Sequence, residues 1–218
     1  MITLIPAVIP ESTEQLRSVL ETVAAFTTQI QVDVVDGKFV PNMSWPYHEG
    51  ESTTLLREYT GRLSVEVDLM VATPELVIDA YAAAGVKRIV VHLESVTNYA
   101  DIIRHRDAEG FLLGISINND TDLSVLYQHL PQADFVQLMG IRHIGFQGQP
   151  FDTEVLARIA HVRHTHPDTP ISIDGSVNKD TIRELVAVGA NRLISGSALI
   201  NAPSPKDAYD TLLRSALL

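Results

Sequence analysis

Three stretches of the chain carry acids at the point where an extended run gives way to a turn. In Gln31-Val32-Asp33 two polar residues are spaced by two, so a strand would aim both side chains at one face. Glu66-Val67-Asp68 repeats the spacing, and Ile171-Ser172-Ile173-Asp174-Gly175-Ser176 brings an acid out of an apolar run into a small-residue turn. A single aspartate at a strand end is commonly a turn or helix cap, and Gln31 with Asp33 could serve loop backbone in that way. Three acids converging on one mouth would repel one another unless a cation or a proton sits among them. Two readings therefore stand side by side, a metal site and an acid/base pair.

A second group consists of turns rich in small residues: Gly145-Phe146-Gln147-Gly148-Gln149, Gly175-Ser176 and Ser195-Gly196-Ser197. Each glycine alone reads as a turn. Placed after the last three extended runs they suggest a phosphate cradle of backbone N–H groups and a helix N-terminus, the arrangement β/α barrels commonly use after strands seven and eight.

Short β-branched runs alternate with amphipathic stretches along the whole chain, the pattern of a parallel sheet covered by helices. Strands are expected at Thr3 to Ala7, Ile30 to Val34, Ser64 to Leu69, Arg88 to His92, Leu112 to Ile117, Phe135 to Met139, Ile171 to Ile173 and Arg192 to Ser195. Helices are expected at Ser12 to Ala25, Gly50 to Tyr59, Pro74 to Ala84, Tyr99 to Asp107, Leu123 to His129, Thr153 to His164, Lys179 to Val188 and Pro205 to Ala216. Thr73 precedes Pro74 as a helix cap should, and Gly85 and Gly189 follow helices where a left-handed residue is usual. Eight units in 218 residues leave about 27 residues each, the size of a (β/α)8 TIM barrel with few insertions, here one domain over residues 1–218. A doubly wound open sheet has the same alternation, but no Gly-x-Gly-x-x-Gly follows the first strand.

The net charge of -11, without a basic block, argues against a nucleic-acid partner. It does not argue against an anionic small molecule, since backbone N–H groups bind phosphate whatever the global sign. The absence of cysteine removes disulfides, thiolate metal sites and thiol nucleophiles. The apolar N-terminus lacks a basic flank and carries Pro6 and Pro10, so neither a signal peptide nor a membrane span is expected, and the reading is cytoplasmic.

Asp33-Val34-Val35-Asp36-Gly37-Lys38-Phe39-Val40-Pro41-Asn42 is similar to the Asp-Val-Met-Asp-Gly-x-Phe-Val-Pro-Asn segment of the ribulose-phosphate 3-epimerase family. Leu69-Met70-Val71 with Pro74-Glu75, Val91-His92-Leu93-Glu94, the Gly145 to Phe151 segment and Asp174-Gly175 continue the resemblance in order over nearly the whole chain. It implies a TIM barrel that inverts the carbon next to the carbonyl of a ketose phosphate through an enediolate. Asp33 and Asp174 would be the two proton-transferring carboxylates, Met70 and Met139 would pack on the intermediate, and Gly145, Gly148, Gly175, Ser176, Gly196 and Ser197 would bind the phosphate.

The family holds a divalent metal with two histidines and two aspartates, whereas Gln31 and Asp68 stand where the histidines are expected. The set Gln31, Asp33, Asp68 and Asp174 offers only oxygen, which suits magnesium or manganese better than zinc. No organic cofactor is expected, and the family's habit of assembling makes a homo-oligomer an expectation without a subunit number. Ala7 replaces a serine and Val35 a methionine. The loop Met139 to Gly145 is one residue longer, and its Arg142 and His143 read either as replacement charge for the site or as solvated loop residues. His92 reads as a hydrogen-bonded residue at the core's rim. Two other functions stay open: a sugar-phosphate lyase of the same barrel type, against which the missing lysine of Asp-x-Lys-x-x-Asp counts, and a non-catalytic phosphate-ligand binding protein that has lost its metal site.

Overall fold

A computed structural model describes residues 1–218. Eight parallel strands run β1 Thr3–Val8, β2 Gln29–Val35, β3 Ser64–Met70, β4 Arg88–His92, β5 Leu112–Ile117, β6 Phe135–Met139, β7 Ile171–Asp174 and β8 Arg192–Ser195. Each pairs with the next, and β1 also pairs with β8 through Leu4 opposite Leu193 and Ile5 opposite Ile194, so the sheet closes into a barrel. That closure rules out the open doubly wound sheet.

The helices are α1 Thr13–Ala24, α2 Ile78–Ala83, α3 Tyr99–Glu109, α4 Leu123–His129, α5 Glu154–Thr165, α6 Ile182–Ala187, α7 Ser197–Ile200 and α8 Pro205–Ala216. None is long and apolar enough to cross a membrane. In α1, Leu16, Val19, Leu20 and Val23 recur at helical spacing and are buried, while Ser12 caps the start by accepting from the Gln15 N–H at 3.2 Å. In α8, Pro205 occupies the first turn behind the cap Ser204, and Lys206 pairs with Asp210 one turn on.

Two expected helices take other forms. Gly50 to Tyr59 narrows to a 3-10 helix at Thr53–Glu58, because its buried pair Leu55 and Leu56 is adjacent in sequence and supplies no helical stripe. Pro74 to Ala84 divides into a 3-10 turn at Pro74–Leu76 and then α2. Thr73 makes no side-chain cap there, adopting a left-handed φ of 53° while its hydroxyl donates to the Ala72 carbonyl. Glu75 is the acid of that first turn, and its Oε1 also accepts from the backbone N–H groups of Thr97 and Asn98 at 3.1 and 3.0 Å. Gly85 and Gly189 take the expected left-handed conformations, with φ of 87° and 118°.

Apolar side chains on the outward faces of the strands meet the helices in one large core. The inside of the barrel is unusually polar: Gln31, Glu66, Asp68, His92, Ser116, Gln137 and Ser172 are all buried there. Near the base, Arg192 pairs with Glu66, donates to Ser172 Oγ at 2.8 Å and lies 4.8 Å from the Phe135 ring centre. This ion pair offsets part of the charge of Glu66 beneath the acids above it.

Candidate active site

Register brings the acids together. Gln31 pairs with Glu66, and two residues on Asp33 pairs with Asp68, so the carboxylates of β2 and β3 lie at one level inside the barrel. Across the ring, Met139 at the end of β6 pairs with Asp174, which is the last residue of β7. Oxygen atoms of Asp33, Asp68 and Asp174 come within 4.8 Å of one another.

The partners of these carboxylates divide them into two kinds. Asp68, fully buried, is held on both oxygens: Gln137 Nε2 donates to Oδ2 at 2.8 Å, and His92 Nε2 meets Oδ1 at 3.1 Å. Asp33 and Asp174 share a single donor, the Gln31 carboxamide, whose Nε2 lies 2.8 Å from Asp33 Oδ1 and 2.8 Å from Asp174 Oδ2. Burial, the Asp174 carboxylate and the Asp68 carboxylate together push Asp33 well above the ordinary aspartate range, against the pull of the Gln31 N–H. Burial and then Asp68 push Asp174 up to about 7, with the Gln31 N–H, His92 and the Gly175 N–H working the other way. Burial by itself would lower the His92 imidazole, but the adjoining Asp68 carboxylate reverses that and the net shift is upward.

Above this floor opens a cleft of about 220 Å³. Asp33, Asp174, Met70 and Met139 reach its wall, and so do Gly145, Gly148, Gly175, Ser176, Gly196 and Ser197. Gln31 and Asp68 stay beneath it, outside the lining. Ser116 Oγ approaches Met139 Sδ at 3.6 Å and so steadies the thioether from below. Val35, Met70, Met139, Ile141 and Ile144 form a separate apolar cluster against which Phe39 and Val40 pack, so one side of the cleft is greasy and the floor is acidic.

The rim is assembled from loops that brace one another. Gly140 N–H donates to the Asp174 carbonyl at 2.6 Å, Asn42 Nδ2 donates to the Gly145 carbonyl at 2.8 Å, and Ser176 Oγ donates to the Gln149 carbonyl. Asp36 accepts from the N–H groups of Lys38, Phe39 and Ala72, which ties the loop after β2 to the end of β3. Gly175 and Ser176 hold positive φ values of 99° and 53°, a kink that turns the chain sharply away from Asp174.

Arg142 and His143 do not reach the cleft. Arg142 pairs with Asp152 at 3.1 Å and Glu154 at 2.7 Å near the start of α5, and His143 is exposed, so neither replaces the lost charge. Gln137 escaped the sequence reading, although its spacing of two from Met139 already puts it on the inward face of β6. Gln147, Gln149 and Asn178 also line the cleft, and no motif of their own announces them.

The donor set fits a hard divalent cation: the three carboxylates offer oxygen alone, and Asp68 is oriented from behind by Gln137 and His92 in the manner of outer-shell partners. Gln31 turns its Nε2 toward these carboxylates, while its carbonyl Oε1 is buried without a hydrogen-bond partner.

The chain is 31% identical to a ribulose-phosphate 3-epimerase of Mycobacterium tuberculosis over 191 residues, covering 86% of this chain and 81% of that one. It is also 31% identical to one of Bacillus subtilis over 188 residues, with 84% of each covered. Among solved structures, KGPDC from Streptococcus mutans superposes with a TM-score of 0.76 at 13% identity, over 100% of this chain and 98% of that one, a likeness of fold. The sequence pattern of the ribulose-phosphate 3 epimerase family matches residues 3–200, and the chain belongs to that family.

Proposed function

We propose that the protein is an isomerase that inverts the carbon next to the carbonyl of a ketose phosphate, with ribulose 5-phosphate as the first substrate to try. The observation that carries this reading is the pair Asp33 and Asp174: two buried carboxylates bridged by one amide, at the floor of a cleft rimmed by glycine turns. Removing a proton next to a carbonyl and returning one to the opposite face needs a base and an acid of matched strength near neutral pH. Coupled carboxyls of this kind titrate as a unit, so one can hold the proton while the other is free to accept one.

In the forward direction the Asp33 carboxylate takes the proton from the carbon, the electrons move into the carbonyl to form an enediolate, and the Asp174 carboxyl delivers its proton to the other face. The product leaves with the two carboxyls in exchanged protonation states, and either the reverse turnover or solvent resets them. Met70 and Met139 offer soft, apolar contact to the planar intermediate and keep water from its face. The glycine turns at Gly145, Gly148, Gly175 and Gly196, with Ser176 and Ser197, fix the phosphate and thereby the distance from it to the reacting carbon.

A divalent cation held by Asp33, Asp68, Asp174 and Gln31, magnesium or manganese in preference to zinc for an all-oxygen set, would supply positive charge to the enediolate oxygens. Retention of both Asp33 and Asp174 favours this reading over a binding protein without catalysis.

The test is proton NMR of the protein with ribulose 5-phosphate in deuterated water, stripped of metal and then supplied with magnesium, manganese or zinc. Deuterium at C3 with xylulose 5-phosphate appearing is the expected result. No exchange in any of these samples overturns the assignment.

A further inference from the structure

Gln31 is a neutral side chain that bridges Asp33 and Asp174, and it is wholly buried. Its two amide protons are both used, one on each carboxylate, at equal distances of 2.8 Å. Its Oε1 accepts nothing, although a buried carbonyl oxygen without a donor is unfavourable. Turning the amide over in the same surroundings would be worse: Oε1 would face at least one ionised carboxylate and the N–H groups would lose both acceptors. A cation among the carboxylates reverses that preference, because it attracts Oε1 and repels the N–H protons.

We infer that the Gln31 carboxamide is a two-position bridge: with its NH2 inward it holds Asp33 and Asp174 in register without a cation, and cation uptake requires it to turn so that Oε1 becomes a ligand. Gln31 is thus a positioning residue for the two carboxylates and at the same time the group that limits how tightly a cation is held. The geometry stands independently of the proposed isomerase reaction; only the meaning of the positioning for catalysis rests on that reading. Both hydrogen bonds from Nε2 must break before a cation is seated, so a side chain that offers oxygen without the competing N–H groups binds it more tightly.

The test uses the full chain labelled with 15N at glutamine side chains, without substrate. In chelator-treated protein one NH2 pair should be shifted downfield and slow to exchange, and it should be missing from the spectrum of Gln31→Glu. Titration with Mg2+ should move that pair upfield and abolish its protection in step with binding, while the other glutamine pairs stay put. By calorimetry Gln31→Glu should bind Mg2+ about 10-fold more tightly than the wild type, or better. If Gln31→Glu does not fold, the near-isosteric Gln31→Met assigns the resonance, and the wild-type titration decides alone. An NH2 pair that keeps its position and protection at saturating Mg2+ overturns the inference. So does a Gln31→Glu variant that folds and binds Mg2+ no better, or a wild type that takes up neither Mg2+ nor Mn2+ at tens of millimolar. None of these readings depends on turnover, so failure here and failure of the isomerase assay are separate events.

Discussion

Gln137 on β6 donates to Asp68 on β3 across the interior of the barrel, 2.8 Å between residues 69 positions apart in the chain. With His92 on the other oxygen, this leaves Asp68 no freedom to rotate. Gln137→Leu removes one of the two donors from a fully buried carboxylate. It is expected to lower stability by about 1–3 kcal/mol, read as a lower urea midpoint at unchanged slope. An unchanged midpoint would show that His92 alone suffices to hold the group.

Asp33 and Asp174 are expected to be separable by isotope exchange. If each serves one face of the substrate, Asp33→Asn and Asp174→Asn each lose interconversion by roughly 1,000-fold or more, since the chemistry loses an essential acid or base. Each should still wash deuterium into one of the two epimers and not the other. Proton NMR in deuterated water reads both quantities, and equal loss of exchange from both epimers in both variants would argue against a two-face division of labour.

Without a bound cation, the contribution of Asp174 to stability should fall as the pH rises toward neutrality. Folding lifts the Asp174 carboxyl from its ordinary 3.8 to about 7, chiefly by burial and the neighbouring Asp68. Between those values the folded protein binds more protons than the unfolded chain, so the contribution of this group is complete below about pH 4 and is lost as the pH passes 7. Asp174→Asn keeps an oxygen for the Gln31 N–H and removes the charge. It should be more stable than the wild type at pH 8 by roughly 1–3 kcal/mol, with the gain vanishing near pH 4. Thermal unfolding of chelator-treated protein at the two pH values tests the crossover.

At the rim, Gly140 and Gly148 should respond differently to the same methyl group. A β-carbon on Gly140 would lie 2.1 Å from the Gly175 carbonyl oxygen, a backbone atom that cannot move without unseating Asp174. Gly148 has open space around it and a φ of 74°. Gly140→Ala is therefore expected to cost about 3 kcal/mol or more and to damage turnover, while Gly148→Ala costs roughly 1 kcal/mol through its left-handed backbone alone. Denaturant unfolding of the two variants side by side gives the comparison.

The base of the barrel should affect stability without affecting chemistry. Arg192→Met leaves the buried Glu66 carboxyl without its guanidinium partner, and a loss of about 3–5 kcal/mol is expected. Protein that still folds should keep its kcat/KM close to the wild-type value, because Glu66 lies beneath the layer that holds the cleft acids. A large fall in kcat/KM in folded protein would contradict that separation.

Much of this was readable from residue order. Alternating apolar runs place all eight strands to within one residue at each end, and the spacing of two in Gln31 and Asp33 puts both on one face. The same rule applied to Phe135 through Met139 would have found Gln137. What escaped was the form of the short helices. Glu75 is drawn to Thr97 and Asn98 on the following loop, a contact between segments that local propensity does not encode. Arg142 was ambiguous for a similar reason, as only the position of α5 shows that Asp152 and Glu154 hold it away from the cleft.

By itself the sequence determined the order of the strands and helices, because period and turn chemistry are local properties of the chain, and it narrowed the candidate groups, because residue type sets what can move a proton. The tertiary structure alone decided that the sheet closes, since β1 meets β8 only when strand tilt and register agree around the ring. It also decided which acids share an environment. Glu66 and Asp68 are the same two-residue step as Gln31 and Asp33, yet one carboxylate is tied to Arg192 near the base while the other faces Asp33 and Asp174. Protonation at such a site depends on distances between strands and on the exclusion of water, and those exist only once the barrel has folded.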